Sequence, residues 1–205
     1  MSPERLTARQ AAAEQTRQKL LAAAITEFSQ RPYDEVTVAG IARTAGVAHG
    51  LVSHHFNGKQ GAYTAAVDAV YEQLRAAEDT ETAGTPREQL RARFRTFLTF
   101  VAANPDAALN LILAPTRDAA FVDRRAHGLE VIATLLDLTP TPPLTAALQA
   151  FADAAEGLTT TWLRQNQPYP LPAMVAAFTT LLAGALHTAQ ALDPTLNLTP
   201  AHTHL

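Results

Sequence analysis

Three histidines, His49, His54 and His55, stand within seven residues of one another in the stretch TAGVAHGLVSHHFNGKQ, residues 44–60. Imidazole is the commonest metal ligand and a frequent general base, so spacing must decide what these three can do. Taken as a helix from Ala48 to Phe56 and stepped at 100° per residue, the segment places Leu51, Val52, His55 and Phe56 on one side. His49, Gly50, Ser53 and His54 fall nearly opposite. A helical zinc pair needs histidines four apart, and no pair here has that spacing. The chain has no cysteine to complete such a site, so no metal is assigned. What the pattern supports is a short helix with one apolar face and one small, polar, hydrogen-bonding face that must meet something. His55, on the apolar side, reads as a core histidine.

Elsewhere, His127 and Glu130 could together do acid–base work. Nothing accompanies them as a nucleophile elbow, a phosphate loop or a metal cluster. No catalytic residue and no cofactor are assigned, and an enzyme is the disfavoured class.

Glycine and proline cut the chain into helical blocks with no alternating strand pattern between them, which predicts an all-α fold. The expected helices run from about Ala11 to Ser29, Thr37 to Ala45, Ala48 to Phe56 and Gly58 to Asp79. Thr37 is the expected N-cap of the second and Gly46 its left-handed terminator. Asn57, with Gln60 three residues on, reads as the N-cap of the fourth. Thr85, Pro86 and Glu88 make an N-cap, a first-turn proline and a capping acid for a fifth helix that ends near Ala103. Further helices are expected over about 106–113, 116–138, 144–166 and 172–192, with TPTPP at 139–143 as a rigid connector and a fraying tail after Pro194.

The 205 residues suffice for one or two domains with a real core, at 47% hydrophobic and 17% charged. The polar N-terminus has no apolar signal segment and no run of 18 apolar residues follows, so a cytoplasmic location without a membrane is expected. Charge is unevenly placed: residues 1–60 hold seven Lys and Arg against five acids, the remainder nine against fourteen. An excess of that size is weak support for nucleic acid by itself. A sequence pI near 6.1 argues against a non-specific nucleoid binder.

The second and third helices are joined by AGVA, a glycine turn of the length used in helix-turn-helix units. Ala42 and Ala45 sit where crossing helices touch, and Val47, Val52 and Phe56 complete a shared core. The exposed face of the third helix is then where a recognition helix presents side chains to a major groove. With TRQKLLAAAITEF, YDEVTVAGIARTAGV and the close HHF followed by NGKQ, the first 60 or so residues resemble the DNA-binding domain of TetR-family transcriptional regulators. The chain departs from that family at Ala48, where Ser or Thr usually opens the recognition helix, at Ser53, where Tyr is usual, and at Gly40, where an acid often stands.

The resemblance implies a helix-turn-helix DNA-binding domain over 1–58 and a helical ligand-binding and dimerisation domain over 59–205. It implies a dimeric repressor that binds a palindromic operator on double-stranded DNA and is released by a small molecule of unknown identity. The alternative is a regulator or architectural DNA-binding protein without small-molecule sensing. His49 and Ser53 are the candidates for base-edge contact, and Gly50 would allow close approach of the backbone. Thr37, His54 and Lys59 are the candidates for phosphate. Arg5 and Arg9 lie on an N-terminal arm that either reaches a minor groove or hangs free. The expected ligand region comprises Tyr71, Phe94, Leu98, Phe121, His127 and Trp162, with Asn110 as a further polar handle. The expected homodimer interface comprises Leu158, Phe178, Leu181, Ala185 and Ala189, on two helices whose apolar stripes have three-and-four spacing.

Overall fold

Every regular element of the described residues is helical. A computed structural model describes residues 3–78, 84–114 and 119–203, with the side chains of 3–7, 119–122, 200 and 202 outside the described set. Phe121, an expected ligand contact, and Arg5 therefore lie outside it. The helices are α1 (Pro3–Gln30), α2 (Val38–Ala45), α3 (Gly50–Phe56), α4 (Lys59–Glu78), α5 (Pro86–Ala103), α6 (Pro105–Ala107), α7 (Ala119–Leu135), α8 (Pro142–Arg164), α9 (Leu171–Leu192) and α10 (Thr199–Thr203). A 3-10 turn, Tyr33–Glu35, precedes α2, and a π-helical segment, Ala108–Ile112, follows α6.

Two compact units form. The first comprises Met1–Arg75 and Asn104–Ala114, the second Ala76–Ala103 and Pro115–Leu205. The first unit takes in the segment after α5, which packs against α1.

In the first unit, α1 buries Leu20, Ala23, Ala24 and Phe28, three-and-four spaced residues on one helical stripe. Phe28 stacks on Tyr33 with ring centroids 5.9 Å apart, and Tyr63 of α4 meets both rings edge-on at 5.0 Å. Edge-to-face pairs of this kind add about 0.5–1.5 kcal/mol beyond the area they bury. The segment after α5 is drawn in by directional bonds. The Asn110 amide donates to the Ser29 carbonyl (2.9 Å), the Tyr63 hydroxyl to the Asn110 carbonyl (3.2 Å) and the Tyr71 hydroxyl to the Ile112 carbonyl (3.2 Å). These tyrosines satisfy carbonyls that the last turn of a helix leaves without an intrahelical partner.

In the second unit, α8 packs along α9, α9 against α5 and α7 against α8. Phe178 of α9 sits among Phe94, Phe97 and Phe151, with centroids 5.4, 6.2 and 6.4 Å away. By length and composition α9 could cross a membrane. Its Met174, Val175, Phe178, Leu182, Leu186 and Ala189 are instead buried in the protein's own core.

Several local expectations are met and others are revised. Thr85 and Glu88 form a reciprocal capping box, the Thr85 N–H donating to Glu88 Oε2 (2.8 Å) and the Glu88 N–H to Thr85 Oγ1 (3.3 Å). The Thr85 N–H, and the Thr85 hydroxyl that also donates to Oε2 (2.9 Å), hold the Glu88 carboxyl below its ordinary pKa. The connector at 139–143 is partly helical: Thr141 caps α8 and Pro142 opens it, since a first-turn proline loses no intrahelical bond. The tail folds back rather than fraying, with Leu198 and Ala201 buried.

Candidate nucleic-acid interface

Helix α2 begins where Thr37, in extended conformation, accepts the Gly40 N–H on its hydroxyl at 3.0 Å. It ends at Gly46, whose φ of 66° and ψ of 35° are left-handed, and the Val47 N–H closes back on the Ala42 carbonyl at 3.0 Å. That geometry terminates a helix and turns the chain within two residues. Beneath α2 lies Glu27 of α1, only 5% exposed. Its Oε1 accepts the Thr44 hydroxyl at 2.5 Å, and Arg31 stands 3.0 Å from its Oε2. A Cβ built on Gly40 would lie 3.4 Å from that same Oε2 and 3.2 Å from Thr37 Oγ1. Glycine at 40 therefore leaves room for the buried carboxylate, where an acid would crowd it.

Helix α3 starts two residues later than its hydrophobic pattern suggests. His49 has helical backbone angles but makes no capping bond, and the first turn closes from the Leu51 N–H to the Ala48 carbonyl at 3.0 Å. Ala48 cannot cap, which accounts for the late start. Val52 and Phe56 are buried and Leu51 is half-buried, whereas His49, Gly50, Ser53 and His54 are exposed. The two faces predicted from the helical period are thus present. His55 is half-buried rather than core, its ring edge-on to that of His54 at 5.0 Å.

The α3–α4 junction differs from the sequence reading. Asn57, expected to cap α4, instead terminates α3 in the left-handed region at φ 57°, and Gly58 (φ 100°) accepts the first bond of α4 from the Ala62 N–H. Gln60, expected at a capping-box position, accepts the Tyr33 hydroxyl at 2.9 Å. Gly61 is sterically obligatory, since a Cβ there would lie 1.7 Å from the Phe56 carbonyl oxygen. Lys59 is half-buried, its ammonium 4.3 Å from the centre of the Tyr33 ring and donating to the Asp34 carbonyl at 3.3 Å. It is folded onto the 3-10 turn. Sequence reading missed Glu27, Tyr33 and Gly61; a lone acid in an apolar stripe and a glycine in the first turn of a helix were the available signals.

The remaining expectations scatter. Tyr71 belongs to the first unit and is tied to Ile112. Asn110 is tied to Ser29 rather than facing a pocket. In the second unit Phe94, Leu98 and Trp162 are buried core residues, while His127 is exposed beside Glu130, 3.9 Å away. Trp162 also borders an open hollow of about 490 Å³ with Thr99, Gln167 and Tyr169. Of the expected interface residues, Phe178, Ala185 and Ala189 are buried within the chain's own unit, and Leu158 and Leu181 are half-buried. The first three point inward because α5 and α8 already occupy the stripe they form.

Residues 20–66, which include this capped helix, glycine turn and the exposed face of α3, match the family model described as bacterial regulatory proteins, tetR family. Over these residues the chain carries a TetR-family DNA-binding domain. The HTH-type transcriptional regulator BetI of Stenotrophomonas maltophilia is 27% identical to this regulator over 165 residues, 72% of this chain and 80% of that one. A tetR-family transcriptional regulator from Streptomyces coelicolor superposes with a TM-score of 0.74 at 25% identity, covering 93% of this chain and 88% of that one. The regulator FadR from Bacillus subtilis, solved in complex with stearoyl-CoA, shares the fold with a TM-score of 0.63 at 19% identity, over 82% and 96% of the two chains. The protein is a DNA-binding transcriptional regulator.

Proposed function

We propose that this regulator is a dimeric repressor that reads a palindromic operator and is released by a small molecule. The observation that carries the reading is the face of α3. His49, Gly50, Ser53 and His54 point away from the protein, and a Cβ on Gly50 would meet nothing within 4 Å. The fold itself has no use for glycine there, whereas a close-lying groove wall does. His49, Gly50 and Ser53 approach base edges, and Thr37, His54 and Lys59 approach phosphates, Lys59 by swinging off the Tyr33 ring.

Residues 1–58 do the reading and residues 59–205 do the sensing and pairing. Gly157 and Gly184 lie mid-helix in α8 and α9, exposed, with open space where a Cβ would stand. Glycine there costs about 1 kcal/mol against alanine, and nothing in the protomer requires it. A partner helix packed close against this face supplies the reason. The interface accordingly falls on Gly157, Leu158, Leu181 and Gly184, flanking the buried Phe178, Ala185 and Ala189. The bound stearoyl-CoA of the Bacillus subtilis relative supports a small-molecule effector for the second unit.

The test is quantitative binding to a duplex selected from random DNA, with molar mass measured in parallel. A dimer should protect half-sites about 34–36 Å apart or a multiple of that. His49→Ala or Ser53→Ala should flatten discrimination among operator variants by about 1–3 kcal/mol per lost contact. Lys59→Ala should weaken all DNA alike. Gly184→Leu should give monomers with weak operator affinity; monomers that bind the full operator normally refute the dimer. A true effector must change its own affinity when operator is present, by about 5 to 150-fold. If every tight-binding ligand titrates identically with and without DNA, the second unit is a scaffold only.

A further inference from the structure

From Ala45 to Gly58 the chain contains no Lys, Arg, Asp or Glu, so the ionisable side chains of α3 and its N-cap are His49, His54 and His55. Two are exposed and the third half-buried, and none of the ion pairs described engages them. Several charged groups on the elements packed around α3 have other commitments. Arg17 of α1 lies over the Phe56 ring at 5.4 Å and 3.7 Å from Glu14. In the free protein Lys59 of α4 is held by Tyr33 and the Asp34 carbonyl, and Glu27 pairs with the partly exposed Arg31. Arg43 of α2, and Asp34 and Glu35 of the 3-10 turn, are exposed.

A protein that binds a polyanion normally presents fixed cations to it. Here the helix placed against the groove presents imidazoles instead, the side chains whose charge changes between about pH 5 and pH 8. We infer that this regulator takes up protons when it binds DNA, with His49, His54 and His55 supplying the positive charge its reading helix otherwise lacks. His54 and His55 lie in the last turn of α3, the end of a helix that favours cations. Their rings are 5.0 Å apart, close enough for one phosphate to face both. The negative charge of a phosphate against the pair favours the protonated rings, and the complex then holds more protons than its separated parts. By linkage, operator affinity rises as pH falls, and the proton acts as a co-ligand of DNA. This rests on α3 being the element that faces DNA.

Full-length protein and a duplex selected from random DNA are titrated near pH 6 and near pH 8 at several salt concentrations. Affinity is expected to rise about tenfold per pH unit for each proton bound only in the complex. The slope of log affinity against log salt is expected to steepen by about 0.9 for each added phosphate contact. His54→Gln should reduce both gains, and His54→Lys, a permanent cation, should raise affinity near pH 8 and flatten the pH response. Wild-type affinity that is tight and identical at the two pH values overturns the inference while leaving α3 as the reader. Unchanged affinity in both His54 variants and in His49→Gln, at either pH, overturns the placement of α3 itself. Circular dichroism of each variant separates these outcomes from misfolding.

Discussion

The two compact units of this regulator are held together by different kinds of force. The first is built around helices of eight and seven residues, α2 and α3, too short to be stable alone. Its parts are registered by directional bonds between residues far apart in the chain: Glu27 with Thr44, Tyr33 with Gln60, Tyr63 with Asn110, Asn110 with Ser29. The second is built from helices such as α8 and α9, of 23 and 22 residues, whose long apolar stripes register themselves against each other and against the phenylalanine cluster. The difference follows the task. A reading head must hold a few side chains at fixed angles, which hydrogen bonds do better than interchangeable methylenes. A bundle can tolerate adjustment, because apolar packing is non-directional.

Substitutions in each unit sharpen this contrast. The largest loss is expected from Phe178→Ala, which removes the ring shared by α5, α8 and α9 and should cost about 3–5 kcal/mol in denaturant unfolding. A cost near zero would show that the cluster is not what holds the second unit. Glu27→Ala in the reading head should cost less, about 1–2 kcal/mol, because it removes one buried acceptor and the Arg31 partner is partly exposed. Its effect on operator affinity should nevertheless exceed that of Phe178→Ala measured on folded protein, since it loosens α2 against α1. Equal affinity losses from the two substitutions would break the comparison.

The smallest effect has the opposite sign. Burial raises the carboxyl pKa of Glu156 above its usual value, against a lowering by the Arg125 guanidinium 3.5 Å away. A raised carboxylate pKa in the folded state means that ionisation opposes folding, and stability is lost as pH rises through that value. Glu156→Gln should therefore raise the melting temperature slightly at neutral pH. The advantage should vanish as pH falls below the ordinary carboxylate range. A destabilised variant at neutral pH would make the Arg125 pairing the dominant influence.

Much of the helical layout was legible because helical periodicity and capping are local. Thr37, Gly46 and the Thr85–Glu88 box act on residues at most a few positions away, so their roles follow from spacing alone. Asn57 shows where local reading fails. An asparagine before a helix and one after a helix look alike in sequence, and only the folded chain shows Asn57 left-handed at φ 57° with the Phe56 carbonyl lying where a Gly61 side chain would be. Lys59 shows the same limit, because its Tyr33 and Asp34 partners lie about two dozen positions earlier in the chain.

By itself the sequence determined an all-helical chain, the helix-turn-helix unit and the polar face His49, Gly50, Ser53 and His54, since each depends on the 3.6-residue period and on short-range chemistry. The tertiary structure alone decided which residues of the apolar stripes are interior. Phe178, Ala185 and Ala189 lie on the same helix as Leu181 and Gly184, yet packing against α5 and α8 turns the first three inward and leaves the others toward the surface. A stripe announces that a helix has an apolar side, but two partners can compete for that side, and only three-dimensional packing settles which one takes it.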